Sequence, residues 1–419
     1  MSTPLSNACR QPLGSEHAKT RYQRRISLGV VVGLSAGISL TSIARAQALR
    51  YAVTPVNFGN ASSVARCLNA RGDVVGTYQV NGNVRRVYVY RAGIFSTPPL
   101  LLAQNFFIIG SPKINNANQI AFTGVPIDTQ PPPSAQAYLL TGDLLTVIPP
   151  INGIFSEATA LNNAGHVAGR SDVSPSAIYA YLYAAGVTID LGQIHPPFGN
   201  RFAATGINDS DVVVGTGDNA AGGQSGFLWN GVMNDLGQFR PNDVNNDGLL
   251  CGTVLIAGSP RAATRDGQGI VQVIPGTGVA DSNASAINIR ATTVGFARSE
   301  PGTAFAFVYN PASPPARNLN HLLTRADRAK GFEFAAAYAV NDAGQILVSD
   351  GYSPFLLTPV DDCPADFNLD GGVDGEDVSD FFSAWVRAEP LAEINGDGGI
   401  DGADIEPFFN AWVNAGCRS

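Results

Sequence analysis

The sequence predicts a mainly β protein, a seven-bladed β-propeller, ending in a small α-helical duplicated unit. Three observations carry this reading. One unit recurs seven times between residues 49 and 360. The composition is rich in turn formers and poor in charge, with 46 Gly, 27 Pro and 14% charged residues among 419. The acidic residues crowd into positions 361–419, at regular spacing and twice over.

The repeat aligns on one asparagine. The copies read "CLNARGDVVG" (Asn69), "KINNANQIAF" (Asn115), "ALNNAGHVAG" (Asn162), "GINDSDVVVG" (Asn208), "DVNNDGLLCG" (Asn245), "AINIRATTVG" (Asn288) and "AVNDAGQILV" (Asn341). The steps are 46, 47, 46, 37, 43 and 53 residues, and Gly stands seven positions on in all copies except at Phe122 and Val348. Each copy is a short apolar strand, a polar turn and a second apolar strand, which is a hairpin pattern. An aromatic strand follows in most copies, such as "YAYLY" (179–183), "GFLW" (226–229) and "FAFVY" (305–309), and several add a fourth stretch such as "VTIDLG" (187–192). Four strands at a period near 45 residues suit a propeller blade, because a ring of sheets buries faces that one sheet cannot. An open β-solenoid is the competing architecture. The seventh copy runs out at Val360, one strand short, and "LRYAVTPV" (49–56) stands where a missing fourth strand would come from. The expectation is that it pairs with the last blade.

The N-terminus reads as an export signal over residues 1–46. Arg21, Arg24 and Arg25 precede the apolar run "ISLGVVVGLSAGISL", and small residues at Ala44, Ala46 and Ala48 offer two overlapping cleavage points. An uncleaved anchor is the alternative for the same run. Beyond it no segment is apolar enough to span a membrane, so the mature chain is expected outside the cell or on its surface, where disulfides form. Residues 361–419 carry a net charge of −12, which repels nucleic acid and argues against it as a partner.

That acidic tail holds two loops of one pattern, "DFNLDGGVDGED" (366–377) and "EINGDGGIDGAD" (393–404), 27 residues apart. Asp366, Asn368, Asp370, Gly372 (through its carbonyl), Asp374 and Asp377 stand at positions 1, 3, 5, 7, 9 and 12. Glu393, Asn395, Asp397, Gly399, Asp401 and Asp404 repeat them. Calcium takes six to eight hard oxygen ligands, and this spacing wraps them around one point; two ions are expected. A helix cap would explain one acid per loop, not alternating acids in duplicate. "DVNNDG" (243–248) starts the same way, but Val254 stands at position 12 and the segment keeps the β-repeat register, so it reads as a hairpin turn. After the loops, Val378, Phe381, Phe382, Trp385 and Val386, then Ile405, Phe408, Phe409, Trp412 and Val413, follow helical spacing. Two such halves should pack as a pseudo-twofold pair and use these side chains as core. Pro407 is expected to kink or delay the second helix. The pairing brings the tail's ends together, so a Cys363–Cys417 bridge is expected, with a free or processed Cys417 as the alternative. Cys67 and Cys251 belong to non-adjacent blades and read as thiols.

Two resemblances add to this. The repeat, with its Asn-x-x-Gly-x-Val-x-Gly core and later aromatic strand, resembles the bacterial extracellular HAF-type repeat over about residues 49–360, which implies secretion and a scaffold. The duplicated loops with Asp at position 12 and the terminal Gly416-Cys417 resemble a type I dockerin over residues 363–417. That resemblance implies attachment to a cohesin-like or surface-anchoring protein, and a division into signal (1–46), propeller (47–360) and dockerin-like domain (361–419). Positions 10 and 11, which help choose the cohesin in dockerins, are Gly375-Glu376 and Gly402-Ala403 here, so the partner does not carry over. No G-x-S-x-G, phosphate loop or H-E-x-x-H occurs, and the three histidines of the mature chain, His166, His195 and His321, stand apart from ligand-spaced partners. No catalytic residue is assigned. The reading is a non-catalytic surface-binding protein whose propeller ligand the sequence does not name, with a glycan as the candidate, held by loops such as "DTQPPPSAQ" (128–136) and "GDNAAGGQSG" (217–226). The alternative is a dockerin-bearing enzyme that degrades polysaccharide, with carboxylates converging from different blades.

Overall fold

The computed structural model describes residues 49–413 apart from 60, 82–83, 104–105, 128–133, 197–198, 279–280, 299–301, 362 and 369–371. The signal segment, Asp370, Gly416, Cys417 and most of the 128–136 loop lie outside the described residues. The described residues lie in one compact unit. Seven four-stranded antiparallel sheets make the seven blades. Blade one runs Ser63–Leu68, Val74–Asn81, Val84–Arg91 and Ile94–Ser96 from the axis outward, and the next five repeat that order. Blade seven takes Ala336–Val340, Ile346–Ser349 and Pro354–Asp361 from the end of the repeats and its outer strand, Leu49–Pro55, from the start. That strand pairs antiparallel with Pro354–Asp361 from Leu49↔Asp361 to Pro55↔Phe355. The ring is therefore closed by strand exchange, as the truncated seventh copy implies.

The repeat asparagines explain how the blades meet. Each caps its own turn: the Asn69 Oδ1 accepts the Arg71 and Asp73 N–H groups, both at 3.0 Å. The same acceptance from the residue four positions on recurs at Asn115, Asn162, Asn208, Asn245, Asn288 and Asn341. The Nδ2 of each then reaches the next blade. Asn69 donates to the Asn115 carbonyl at 3.3 Å, Asn115 to Asn162 at 2.9 Å, and Asn162 to Asn208 at 3.1 Å. Asn208 donates to Asn245 at 3.1 Å, Asn245 to Asn288 at 2.9 Å, Asn288 to Asn341 at 2.9 Å, and Asn341 back to Asn69 at 3.0 Å. Seven side chains thus form one closed ring of amide-to-carbonyl bonds around the axis, every one of them buried.

A second, incomplete ring lies one residue outward. The Ala70 N–H donates to Asn116 Oδ1, Asn116 to Asn163, Asn163 to Asp209, and Asp209 to Asn246, all at 2.8–3.0 Å. Ile289 donates to Asp342 Oδ1 at 3.1 Å but has no acceptor of its own to offer Asn246.

The glycine seven positions on serves close approach. A register shift interrupts the first strand pair of each blade just before the turn, for example between Ala158 and Ala160. There the second strand lies so near the first that a Cβ on Gly169 would stand 1.8 Å from the Glu157 carbonyl oxygen. The ring of Tyr181, across the pair Gly169↔Tyr181, covers the bare glycine and is itself buried. Blade two departs from this. Its shift spans Ile109 to Lys113 and makes room for Phe122, which stacks on Tyr138 with centroids 5.2 Å apart.

Replacing a ring asparagine by alanine is expected to cost on the order of 2–3 kcal/mol, because one buried carbonyl and two turn N–H groups lose their partner. Asn208→Ala and Asn341→Ala should cost similar amounts in chemical denaturation; a loss below about 0.5 kcal/mol would show that water replaces the ring. Ile289→Asn should do the reverse. It supplies the acceptor that Asn246 lacks and is expected to add about 0.5–1.5 kcal/mol, read as a rise in denaturation midpoint at unchanged slope.

Candidate functional site

Two regions gather chemistry, the axial channel and the tail. The channel is a cavity of about 240 Å³ lined by the asparagine turns together with Cys67, Ile114 and Asp243. Asp243 brings a carboxylate to this lining. Its Oδ1 accepts the Val244 N–H at 2.9 Å and its Oδ2 the Ile287 N–H of the next blade at 3.1 Å. A Cβ at Gly206 would lie 3.2 Å from Asp243 Oδ1, so the glycine gives the carboxylate its space. Burial raises the Asp243 carboxyl to about 6, against the two N–H groups and the charge of Lys113, which pull it down. Cys67 and Cys251 near it are free thiols, and burial pushes both up. Two histidines meet carboxylates through the fold: His166 Nδ1 lies 2.8 Å from Asp211 Oδ1 in the next blade, and His195 Nε2 lies 2.9 Å from Asp235 Oδ2. Sequence spacing hides both pairs.

The tail is two loop–helix halves. Its helices span Gly375–Val386 and Gly402–Val413. Pro407 lies inside the second without ending it. The halves exchange equivalent contacts: Trp385 Nε1 donates to the Asp401 carbonyl at 2.8 Å, and Trp412 Nε1 to the Asp374 carbonyl at 3.2 Å. Phe381 and Phe408 stack face to face across the pair at 4.2 Å. Phe367, Ala384, Ala392 and Ile394 complete the core. Val386 and Val413, expected in it, are exposed because each is the last residue of its helix.

In loop one, Asp377 is fully buried; its Oδ1 accepts the Phe367 and Asn368 N–H groups at 2.6 and 3.0 Å, and its Oδ2 the Asp374 N–H at 2.9 Å. Asp374 Oδ1 caps the helix through the Glu376 N–H at 2.8 Å. Gly372 lies between the undescribed positions 369–371 and that cap. Loop two repeats the frame. Asp404 Oδ1 accepts from the Ile394 and Asn395 N–H groups at 2.7 and 3.2 Å, its Oδ2 from Asp401 at 2.9 Å, and Asp401 Oδ1 from Ala403 at 2.8 Å. Asn395 and Asp397 hydrogen-bond each other, and Asp397 Oδ1 takes the Gly399 N–H at 2.7 Å. The donors of both loops are the hard oxygens that calcium takes. Among the described residues, however, no three His, Cys, Asp or Glu side chains stand as a metal-holding group.

The difference between the loops is Glu393. Its Oε1 accepts the Gly396 and Asp397 N–H groups, the latter at 3.1 Å. Its Oε2 lies 3.2 Å from Arg328 Nη1 and 4.0 Å from Arg50 Nη1, both on the propeller. Arg50, 2% exposed, also donates to the His321 carbonyl at 2.6 Å and the Ile394 carbonyl at 2.6 Å. Arg328 donates to the Pro390 and Glu393 carbonyls at 2.9 and 3.1 Å. Arg325 donates to the Cys363 carbonyl at 2.8 Å and to that of Asp366, and stands over the Phe367 ring at 4.9 Å. His321 fills the space a side chain at Gly398 would need, and burial holds its imidazole below the ordinary value against the pull of Glu393. In this docked arrangement the first carboxylate of loop two is taken by arginines. Cys363 is disulfide-bonded; Cys417, its expected partner, lies outside the described residues.

These arginines escaped the sequence reading. Arg50 carries no local signal. Arg325 and Arg328 lie in "TRADRAKG" (324–331), a charged stretch within the longest repeat step, and that extra length was the available clue.

No family model matches the chain, and no curated protein matches it. Among solved structures the chain is similar to the β-propeller domain of the trilobed protease from Pyrococcus furiosus, described as having an open velcro topology. That match has 10% identity and a TM-score of 0.44 over 62% of this chain and 81% of that one. It is also similar to the acylaminoacyl peptidase of Pyrococcus horikoshii, at 11% identity and a TM-score of 0.43 over 78% of this chain but only 64% of the peptidase. A third is YCF48, solved bound to D1 peptide, at 12% identity and a TM-score of 0.41 over 75% of this chain and 97% of that one. At these scores the likeness carries no argument; the seven four-stranded sheets themselves define a seven-bladed β-propeller.

The Asp243 carboxyl yields a pH dependence. Its folded value, about 6, exceeds the ordinary Asp value of about 3.9, so the folded state binds the proton more tightly. Its contribution to stability falls as pH rises between those two values and is level above them. Denaturation at stepped pH should give a steeper decline over that window in the wild type than in Asp243→Ala; parallel slopes would refute the raised value.

Proposed function

We propose that this chain is an exported, non-catalytic binding protein of the cell surface. Its propeller presents a ligand, and its tail attaches it through calcium to a cohesin-like or surface-anchoring protein. The observation that carries the reading is the duplicated frame of the tail. Asp377 and Asp404 each gather three N–H groups of their own loop, the same frame twice over. Reciprocal Trp385 and Trp412 bonds set the two loops in equivalent places. Asp366, Asn368, Asp370, the Gly372 carbonyl, Asp374 and Asp377 would hold the first ion. Asn395, Asp397, the Gly399 carbonyl, Asp401, Asp404 and, when released, Glu393 would hold the second. The ions supply charge neutralisation for a segment of net −12 and fix the loops that a partner reads.

Export and surface location are carried by the N-terminal run and the repeat resemblance, and a glycan is the ligand class proposed for the propeller. The loop at 217–226 joins two strands of its blade, and loops on such a scaffold are the usual place for binding. Chelation of the mature chain is expected to lower helical ellipticity and to release it from cell-surface fractions, with the propeller strands unchanged and calcium restoring both. Attachment and ellipticity that survive exhaustive chelation would overturn the reading, as would turnover of a polysaccharide lost on mutating one or two channel or loop acids.

A further inference from the structure

We infer that the propeller is itself a partner of the tail, and that Arg328 and Arg50 hold loop two in place of its calcium ion, so that docking and the second ion compete. The inference rests on the calcium reading of the tail and adds to it which loop is governed and by what.

Three observations support it. First, the Glu393 carboxylate is 4% exposed and fully used. One oxygen closes the loop on the Gly396 and Asp397 N–H groups, and the other faces Arg328 at 3.2 Å and Arg50 at 4.0 Å. A carboxylate that ligates calcium at the first loop position must turn an oxygen inward, and this one turns it to two guanidinium groups. Second, the choice of residue fits the task. Glu is one methylene longer than the Asp that opens loop one, and the added reach spans from the loop to the propeller arginines. Third, the contact is built on backbone as well as charge. Arg50 takes the Ile394 carbonyl at 2.6 Å, and Arg328 takes the Pro390 and Glu393 carbonyls. Gly396 and Gly398, both at positive φ, lie against Leu322 and His321 with no room for a Cβ. Loop one is held differently. Arg325 takes the Cys363 and Asp366 carbonyls and stands over the Phe367 ring, contacts to main chain and ring.

Charge makes the two states exclusive. A divalent ion beside two buried guanidinium groups would be repelled across a poorly screened contact. The arginines would then have to leave, and with them the anchors of the tail.

The test is ion stoichiometry in the mature full-length chain, by native mass spectrometry and by calorimetry with calcium alone. Hydrogen exchange of residues 317–330 reports docking. The wild type should bind one ion tightly, and a second at least tenfold more weakly, with protection of 317–330 lost as the second enters. Arg50→Gln/Arg328→Gln should bind both with affinities brought together, and Glu393→Asp, which shortens the reach, should do the same by an independent change. Melting of the propeller guards against misfolding of either variant. Two tight ions in the wild type with 317–330 still protected would overturn the inference. So would one ion in all three proteins, which leaves calcium at loop one intact. No ion in any protein would sink the calcium reading and this inference together.

Discussion

The closed ring of seven asparagine amides is the constraint on which the rest of this molecule hangs. Each side chain divides its labour. The Oδ1 satisfies the turn that joins the first two strands of its own blade, and the Nδ2 satisfies a carbonyl of the next. Local turn chemistry and blade-to-blade spacing are thereby one interaction rather than two. Asp would cap the turn but lacks the donor; Gln has both but adds a carbon, which moves the amide off the 2.9–3.3 Å contacts seen around the ring. A buried amide of this kind is costly if half satisfied and specific if fully satisfied. It fixes where each blade starts and leaves the outer loops free to vary, which is why steps as different as 37 and 53 residues close into one ring.

The longest step does separate work. The inserted segment places the Leu319–Leu322 turn and the short Arg325–Arg328 helix beside the strand that closes the ring. Thr324 donates to the Tyr51 carbonyl at 3.0 Å, and Val53 donates to Asp327 Oδ2 at 2.9 Å. An outer strand borrowed from the far end of the chain would otherwise offer a bare edge. Burial alone would raise the Asp327 carboxyl, but bonds from Lys330, the Val53 N–H and Thr324 hold it below the ordinary range. The same insertion carries Arg325 and Arg328 to the tail, so ring closure and tail docking share one element, with Arg50 on the closing strand itself.

Sequence legibility followed the range of the interaction. The blades could be read because hairpin, aromatic strand and glycine recur at fixed offsets, and the missing outer strand could be read by counting. The asparagine repeat was visible as a register mark, but its ring was not: a bond from Asn341 to Asn69 spans 272 positions and leaves no trace in spacing. The tail halves could be read because each is local, down to Trp385 and Trp412 in equivalent places. What escaped was contact between distant charges. Arg50 is one residue in an ordinary strand, and its meeting with Glu393 is set by how two folded bodies face each other. Asp243 escaped likewise, since its raised value comes from a channel that only seven blades together create.

Glu393 shows how such departures from a pattern can be read. Against the first loop it is an imperfection, a long acid where a short one belongs. Beside Arg328 and Arg50 it is the residue of the correct length, buried because it is paired and closing its loop with the oxygen left over. Removing one partner of a buried pair costs more than the pair contributes, so loop two is held either by arginines or by another cation of comparable charge. The copy that meets protein cations keeps the frame of the other, the same Asp at position 12 and the same tryptophan bond. The longer acid at position 1 distinguishes the second loop, and its carboxylate meets the propeller arginines.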